Sequence, residues 1–172
     1  MKNFKNINKN IALIGMPGSG KTTIGREISK ILSLPFYDID EYIENKEKEA
    51  VSKIFLKGED YFRKLESEAI EAVSKNCPSI ISTGGGSVKV SSNMEVLKRT
   101  SIILFINRPL ENIINDIDIS GRPLLADGTS RLYKLYEERY HLYKKYSDIE
   151  ILNDQDINIT VNKIIELLHI LL

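Results

Sequence analysis

Residues 15–22 read Gly-Met-Pro-Gly-Ser-Gly-Lys-Thr, directly after the apolar run Ile11-Ala12-Leu13-Ile14 and ahead of a helical pattern. The spacing G-x-x-x-x-G-K-[ST] between strand and helix is that of a phosphate cradle. Gly15, Gly18 and Gly20 take backbone angles that aim successive N–H groups into one concave nest, and the following helix adds its positive end. Lys21 then reaches the β and γ phosphates, and the Thr22 hydroxyl is placed to ligate Mg²⁺. A glycine turn that binds nothing is the alternative, but it needs neither the Lys nor the Thr.

At 172 residues the chain fits one domain able to bury a sizeable core. Lys+Arg and Asp+Glu both number 24, so no global field recruits nucleic acid or an anionic membrane surface. No apolar stretch reaches the length of a membrane span, and the Lys/Asn-rich start lacks the apolar core of a signal peptide. A cytoplasmic protein is expected, and with it a monomer. Cys77 is the one cysteine, which agrees with a reducing compartment; ordinary packing is its expected role. His141 and His169 have no partners at metal-ligand spacing and are expected at the surface.

Strand-like runs at 11–15, 34–38, 79–83, 102–106 and 149–152 alternate with helical patterns, which predicts an α/β fold with a mostly parallel sheet. The first helix is expected from about Lys21 to Ser33, with Ile24, Ile28, Ile31 and Leu32 on its apolar side. Gly25 interrupts it, either for close packing or as a tolerated residue. Residues 41–76 read as helical with a break near Lys57-Gly58. Residues 116–129 hold Gly121, Pro123 and Gly128 and read as a long loop, the kind that usually carries function. Helices are expected over about 130–146 and 157–170.

Asp38 and Asp40 flank Ile39 at the end of the second strand-like run. Alternation in an extended segment predicts both carboxylates on one face, toward the crevice at the strand carboxyl ends. One acid near Mg²⁺ and one near an acceptor hydroxyl is the division phosphoryl transfer requires; helix capping is the competing role. Arg63 and Glu66 are neighbours on one helix face. Read as an exposed pair, they contribute little to stability, and taken alone they are better explained as a solvated face than as a site. Ser82-Thr83-Gly84-Gly85-Gly86 follows another apolar run, so main chain can approach a ligand there unobstructed. Ser82 is placed to join the Mg²⁺ shell. Arg122, in Arg122-Pro123-Leu124-Leu125, is either a closing-loop cation for the transferring phosphoryl group or an ordinary loop arginine. Arg139 is one charge among many on its helix.

Taken in order, the phosphate loop with Thr23 and Gly25, Asp38-x-Asp40, Gly58-Glu59-x-x-Phe62-Arg63-x-x-Glu66, the triple glycine, Arg122-Pro-Leu-Leu and Arg139-x-x-x-Tyr143 resemble the shikimate kinase family, from about residue 10 to 168. The resemblance implies a three-layer αβα P-loop fold, NMP-kinase-like, with a five-stranded parallel sheet. It implies a single kinase domain over 1–172, with a helical substrate-binding insert at about 39–66 and a lid at about 116–129. The implied reaction moves the γ-phosphoryl group of ATP to the 3-hydroxyl of shikimate. Lys21, Asp40 and Arg122 would be catalytic. Asp40, Arg63, Gly84, Gly85, Gly86 and Arg139 would bind shikimate, with the two arginines on its carboxylate. Gly15, Gly18, Ser19, Gly20, Lys21, Thr22, Thr23 and Arg122 would hold ATP, and Thr22, Asp38 and Ser82 would hold Mg²⁺. The chain departs from the pattern before the lid: Asn115-Asp116-Ile117-Asp118-Ile119 stands where many members carry a basic residue that stacks on adenine. A gluconate-type sugar-acid kinase, an NMP kinase and an inactive nucleotide-binding scaffold are the rival readings.

Overall fold

The computed structural model describes residues 8–116 and 129–171. Five strands, β1 Asn10–Ile14, β2 Phe36–Asp38, β3 Ile80–Ser82, β4 Ser101–Asn107 and β5 Ile149–Leu152, form one all-parallel sheet in the order β2-β3-β1-β4-β5. The helices are α1 Lys21–Leu32, α2 Ile39–Glu47, α3 Val51–Leu56, α4 Glu59–Ser74, α5 Ser91–Thr100, α6 Leu110–Asp116, α7 Thr129–Tyr146 and α8 Ile157–Leu171.

The central strands are mostly apolar, because both sheet faces are covered, with Asn10, Ser82 and Ser101 as buried polar positions. Ala12, Ile14, Ile103 and Phe105 pack with Phe62, Ile70 and Val73 of α4 and Tyr143 of α7. Ile11, Leu13, Leu104 and Ile106 point the other way, onto Ile24 and Ile28 of α1 and Ile164 and Leu168 of α8. These are the three layers. The chain leaves β1 for β2 on one side and later crosses to β4 on the other. The carboxyl end of β1 therefore opens into the crevice where open α/β sheets bind ligands.

The long helical region breaks at Gly58 (φ +122), as its sequence suggests, and once more where Lys48 ends α2 in the left-handed region. The second break carries no glycine or proline signal. Ile31 is largely exposed, unlike the apolar face expected for it, since α1 turns only Ile24, Ile28 and Leu32 inward. Cys77 is exposed rather than packed, its Sγ donating to the Asn8 carbonyl at 3.2 Å. His141 is exposed and His169 is half-buried.

Gly25 is a close-packing residue. A Cβ there would stand 2.6 Å from the Phe36 ring and 3.1 Å from Leu13. Helix propensity alone would favour a larger residue by up to about 1 kcal/mol, whereas overfilling a core costs about 1–3 kcal/mol. Gly25→Val is accordingly expected to lower the unfolding free energy by about 2 kcal/mol, read from urea denaturation. Unchanged stability would mean that Phe36 yields without cost.

Candidate active site

The phosphate loop runs from the end of β1 into α1 with Gly15, Gly18 and Gly20 all at positive φ. At Gly15 a Cβ would meet the Ile106 carbonyl at 2.5 Å, so the turn out of β1 demands glycine sterically as well as conformationally. Lys21 is buried and folds back over the loop, donating to the carbonyls of Gly15 at 2.9 Å and Met16 at 2.8 Å. Thr22 and Thr23 follow in the first turn of α1. Two residues not singled out in the sequence hold the loop from behind. Asn153, just past β5, donates to the Ser19 carbonyl at 2.9 Å and accepts from Thr160 at 2.9 Å. Arg108, just past β4, donates to the Gly18 carbonyl at 3.3 Å and pairs with Asp116 at the end of α6. Arg108 is thus a basic group beside the nucleotide loop, delivered from a strand end rather than from the approach to the lid.

Asp38 and Asp40 are brought together, though not by strand alternation. Asp38 ends β2 and caps α2, its Oδ1 accepting from the N–H groups of Asp40 at 3.0 Å and Glu41 at 3.3 Å; Asp40 lies in the first turn of that helix. Capping ends the extended conformation one residue too early for a shared strand face. Capping uses only one oxygen of Asp38, and the other accepts from Thr22 Oγ1 at 2.7 Å. Ser82 Oγ lies 3.4 Å from the same hydroxyl. Three hard oxygen donors from β2, β3 and α1 therefore meet at one point. Such a mixed hydroxyl and carboxylate set suits a hard cation; among the described residues no group of three His, Cys, Asp or Glu is placed to hold one.

The triple glycine is the wall against which the remaining groups pack. A Cβ on Gly84 would stand 2.6 Å from Glu66 Oε1 and 3.4 Å from Asp40 Oδ1. One on Gly85 would strike Pro17 of the phosphate loop at 2.7 Å, and one on Gly86 would overlap the Arg63 guanidinium. The Tyr143 hydroxyl donates to the Gly85 carbonyl at 2.6 Å, and Arg139, one turn earlier on α7, lies beside it. Asp40 and Arg63 thus converge on these glycines, one of which touches the phosphate loop, and Arg139 reaches the same wall through Tyr143.

Burial changes the meaning of the Arg63–Glu66 pair. It is not the exposed pair its spacing suggested: Glu66 is 0% exposed and Arg63 15%, joined at 2.7 Å. Desolvation works against the Arg63 charge, but Glu66 and Glu59 outweigh it and keep the guanidinium firmly protonated. The other edge of Arg63, Nε and Nη2, rests on exposed Glu59 at 3.2 and 3.1 Å. Arg139 is also buried, and its Nε has no hydrogen-bond partner among the described residues. A cavity of about 290 Å³ between α4 and α7 is lined by Arg63, Arg139, Phe55 and Leu135. Such an unpaired buried donor in a cavity wall is costly unless a ligand completes it. Burial pushes the Tyr143 hydroxyl upward, which keeps it a neutral donor. Arg122 and residues 117–128 of the expected lid lie outside the described residues.

Asp40 Oδ1 is enclosed and has no hydrogen-bond partner among the described residues. Its carboxyl is pushed from 3.8 to about 7, first by burial, then by the negative charges of Asp38 and Glu66, with Lys21 pulling the other way. A carboxyl poised near 7 suits proton removal at neutral pH.

The family model described as shikimate kinase matches residues 17–169. A shikimate kinase of Clostridium beijerinckii is 48% identical over 158 residues, covering 92% of this chain and 94% of the relative. The structure of a shikimate kinase from Acinetobacter baumannii in complex with shikimate superposes with a TM-score of 0.88 at 30% identity, covering 93% of this chain and 92% of that one. A gluconokinase from Sinorhizobium meliloti, at TM-score 0.62 and 14% identity over 97% of this chain and 95% of its own, shares the fold alone.

The raised Asp40 value has a consequence for stability with a definite sign. Below about pH 4 the carboxyl is protonated folded or unfolded; between about 4 and 7 only the folded state keeps the proton, so stability falls as pH rises and remains lower above 7. In metal- and ligand-free protein, Asp40→Asn is expected to raise the unfolding free energy at pH 8 by about 2 kcal/mol and to leave it unchanged near pH 4. Chemical denaturation at the two pH values checks this, and an equal effect at both would remove the burial of charge as its cause.

Proposed function

The chain belongs to the shikimate kinase family, and we propose that the residues gathered on the Gly84–Gly86 wall carry out that family's reaction here. The protein is an ATP-dependent small-molecule kinase that transfers the γ-phosphoryl group to the 3-hydroxyl of shikimate, giving shikimate 3-phosphate and ADP. The observation that carries the site assignment is the convergence of Asp40 and Arg63 on three consecutive glycines, the middle one against Pro17 of the phosphate loop and bonded by Tyr143, which Arg139 adjoins.

In this reading the loop N–H groups and Lys21 hold the triphosphate, Lys21 exchanging the Gly15 and Met16 carbonyls for phosphate oxygens. Thr22, Asp38 and Ser82 fit Mg²⁺, whose oxygen preference their donor set satisfies. When bound, the cation supplies charge neutralisation on the phosphates. Arg139, through its unpaired Nε, and Arg63, through the edge now resting on Glu59, take the acceptor's carboxylate. The exposed Glu59 contact is weak enough to be exchanged, and planar guanidinium forks suit a carboxylate better than an ammonium does. Clamped at that end, shikimate presents a hydroxyl to Asp40 Oδ1, which accepts its proton while Lys21 keeps the phosphoryl group aligned. Catalysis is then mostly positioning and charge complementarity. We read residues 1–172 as one kinase domain, with about 39–66 on the acceptor side, 116–129 as the lid and Arg122 as its cation. A cytoplasmic location fits this activity, and no described helix is long and apolar enough to cross a membrane.

ADP release measured with shikimate, gluconate, AMP and CMP is expected to respond strongly to shikimate alone; a larger response to gluconate would transfer the assignment to the sugar-acid kinases. Asp40→Asn is expected to lower kcat by at least about a hundredfold with little change in ATP binding. Unaltered turnover would exclude Asp40 as the base.

A further inference from the structure

Ser87 follows the triple glycine and opens a single 3-10 turn, Ser87–Lys89. It is fully buried, and its N–H donates to the Gly84 carbonyl at 3.1 Å, which ties its position to the glycine wall. Its Oγ donates to Glu66 Oε1 at 2.5 Å, while Glu66 Oε2 accepts from Arg63 Nη1 at 2.7 Å. The carboxylate of Glu66 is sealed from water and held at both oxygens, one from the glycine loop and one from the arginine. A buried carboxylate stripped of a donor must find another or lose its geometry.

We propose that Ser87 is a positioning residue for the acceptor's carboxylate clamp: by anchoring Glu66, it sets the plane of the Arg63 guanidinium against the glycine wall. The inference rests on the reading of Arg63 as a carboxylate ligand. The geometry leaves the guanidinium little freedom, since a Cβ at Gly86 would already overlap it. Arg63 is therefore braced by main chain on one side and by Glu66 on another, and Glu66 keeps that alignment only while Ser87 occupies its second oxygen. Without the hydroxyl, Oε1 loses its one hydrogen-bond donor among the described residues, and the carboxylate turns toward the remaining donors of Arg63. The fork then tilts away from its ligand. Small misplacements of this kind are expensive for bound-state geometry. The nucleotide side has no part in the relay, so the effect is selective.

The test is steady-state kinetics with both substrates varied, together with thermal unfolding. Ser87→Ala is expected to raise the KM for shikimate by about five- to tenfold, with the KM for ATP and the kcat at saturation within about twofold of the parent. Ser87→Cys, close in shape but a weak donor, is expected to fall between the two. In a Glu66→Gln background, Ser87→Ala is expected to add less than about twofold, because the group it positions has already been altered. A shikimate KM for Ser87→Ala within twofold of the parent overturns the proposal. So does a parallel rise in both KM values with a matching loss of melting temperature, which would report a general packing defect. Should Ser87→Ala fail to fold, Ser87→Cys decides by the same comparison of KM values. Phosphorylation of shikimate by the unaltered protein tests the function itself, so a neutral Ser87 variant of an active kinase rejects only the positioning role.

Discussion

The main chain at Gly84–Gly86 is touched by Glu66 and Asp40 at its first residue, by Pro17 and Tyr143 at its second and by Arg63 at its third. No side chain larger than hydrogen can stand at these positions without displacing one of those groups. The constraint joins elements far apart in the chain: α2 supplies Asp40, α4 supplies Arg63 and Glu66, α7 supplies Tyr143, and the loop after β1 supplies Pro17. Because β3 lies beside β1 in the sheet, the wall it delivers stands next to the phosphate loop. Thr83 strengthens the join, both its N–H and its Oγ1 bonding the Leu13 carbonyl.

This arrangement works against stability. Glu66, Lys21 and Arg139 are buried in their entirety or nearly so, and Asp40 keeps an enclosed oxygen without a partner among the described residues. Burying the Arg63–Glu66 pair carries a desolvation cost that its mutual attraction need not recover. Two apolar layers, one on each face of the sheet, offset these costs. The same burial that makes Asp40 costly to fold raises its proton affinity into the range useful to a base. At this residue the same burial therefore both costs stability and raises proton affinity.

Much of this was legible in the chain. The five strands, the phosphate loop, the break at Gly58 and the helices at 129–146 and 157–171 follow from periodicity and from glycine placement. The burial of two charged groups was not read from the pattern, although a signal existed. Leu132, Leu135 and Tyr143 form one stripe of α7 at helical spacing, and Arg139 lies on it. Glu66 likewise falls on the stripe of Phe62, Ala69, Ile70 and Val73 in α4. A charge on the apolar face of a helix is either an error of folding or part of a site. Asn153, Arg108 and Ser87 gave no such sign, since polar residues just past a strand or glycine turn are commonplace.

The order of residues by itself determined the local devices: glycines where the chain must turn back on a strand end, a capping Asp38 to start α2, and apolar periods of 2 and 3.6 that commit each segment to strand or helix. These depend on neighbours a few positions away, so one-dimensional information suffices. Which of the many charges would be buried, and which would meet, depended on strand order, because β3 rather than β2 pairs with β1 and so brings residues some seventy positions apart into contact. Sequence separation carries no record of such proximity. Tertiary packing alone turned Arg63, Glu66, Ser87 and Arg139 from ordinary helix and turn residues into a buried or half-buried polar cluster beside the glycine wall.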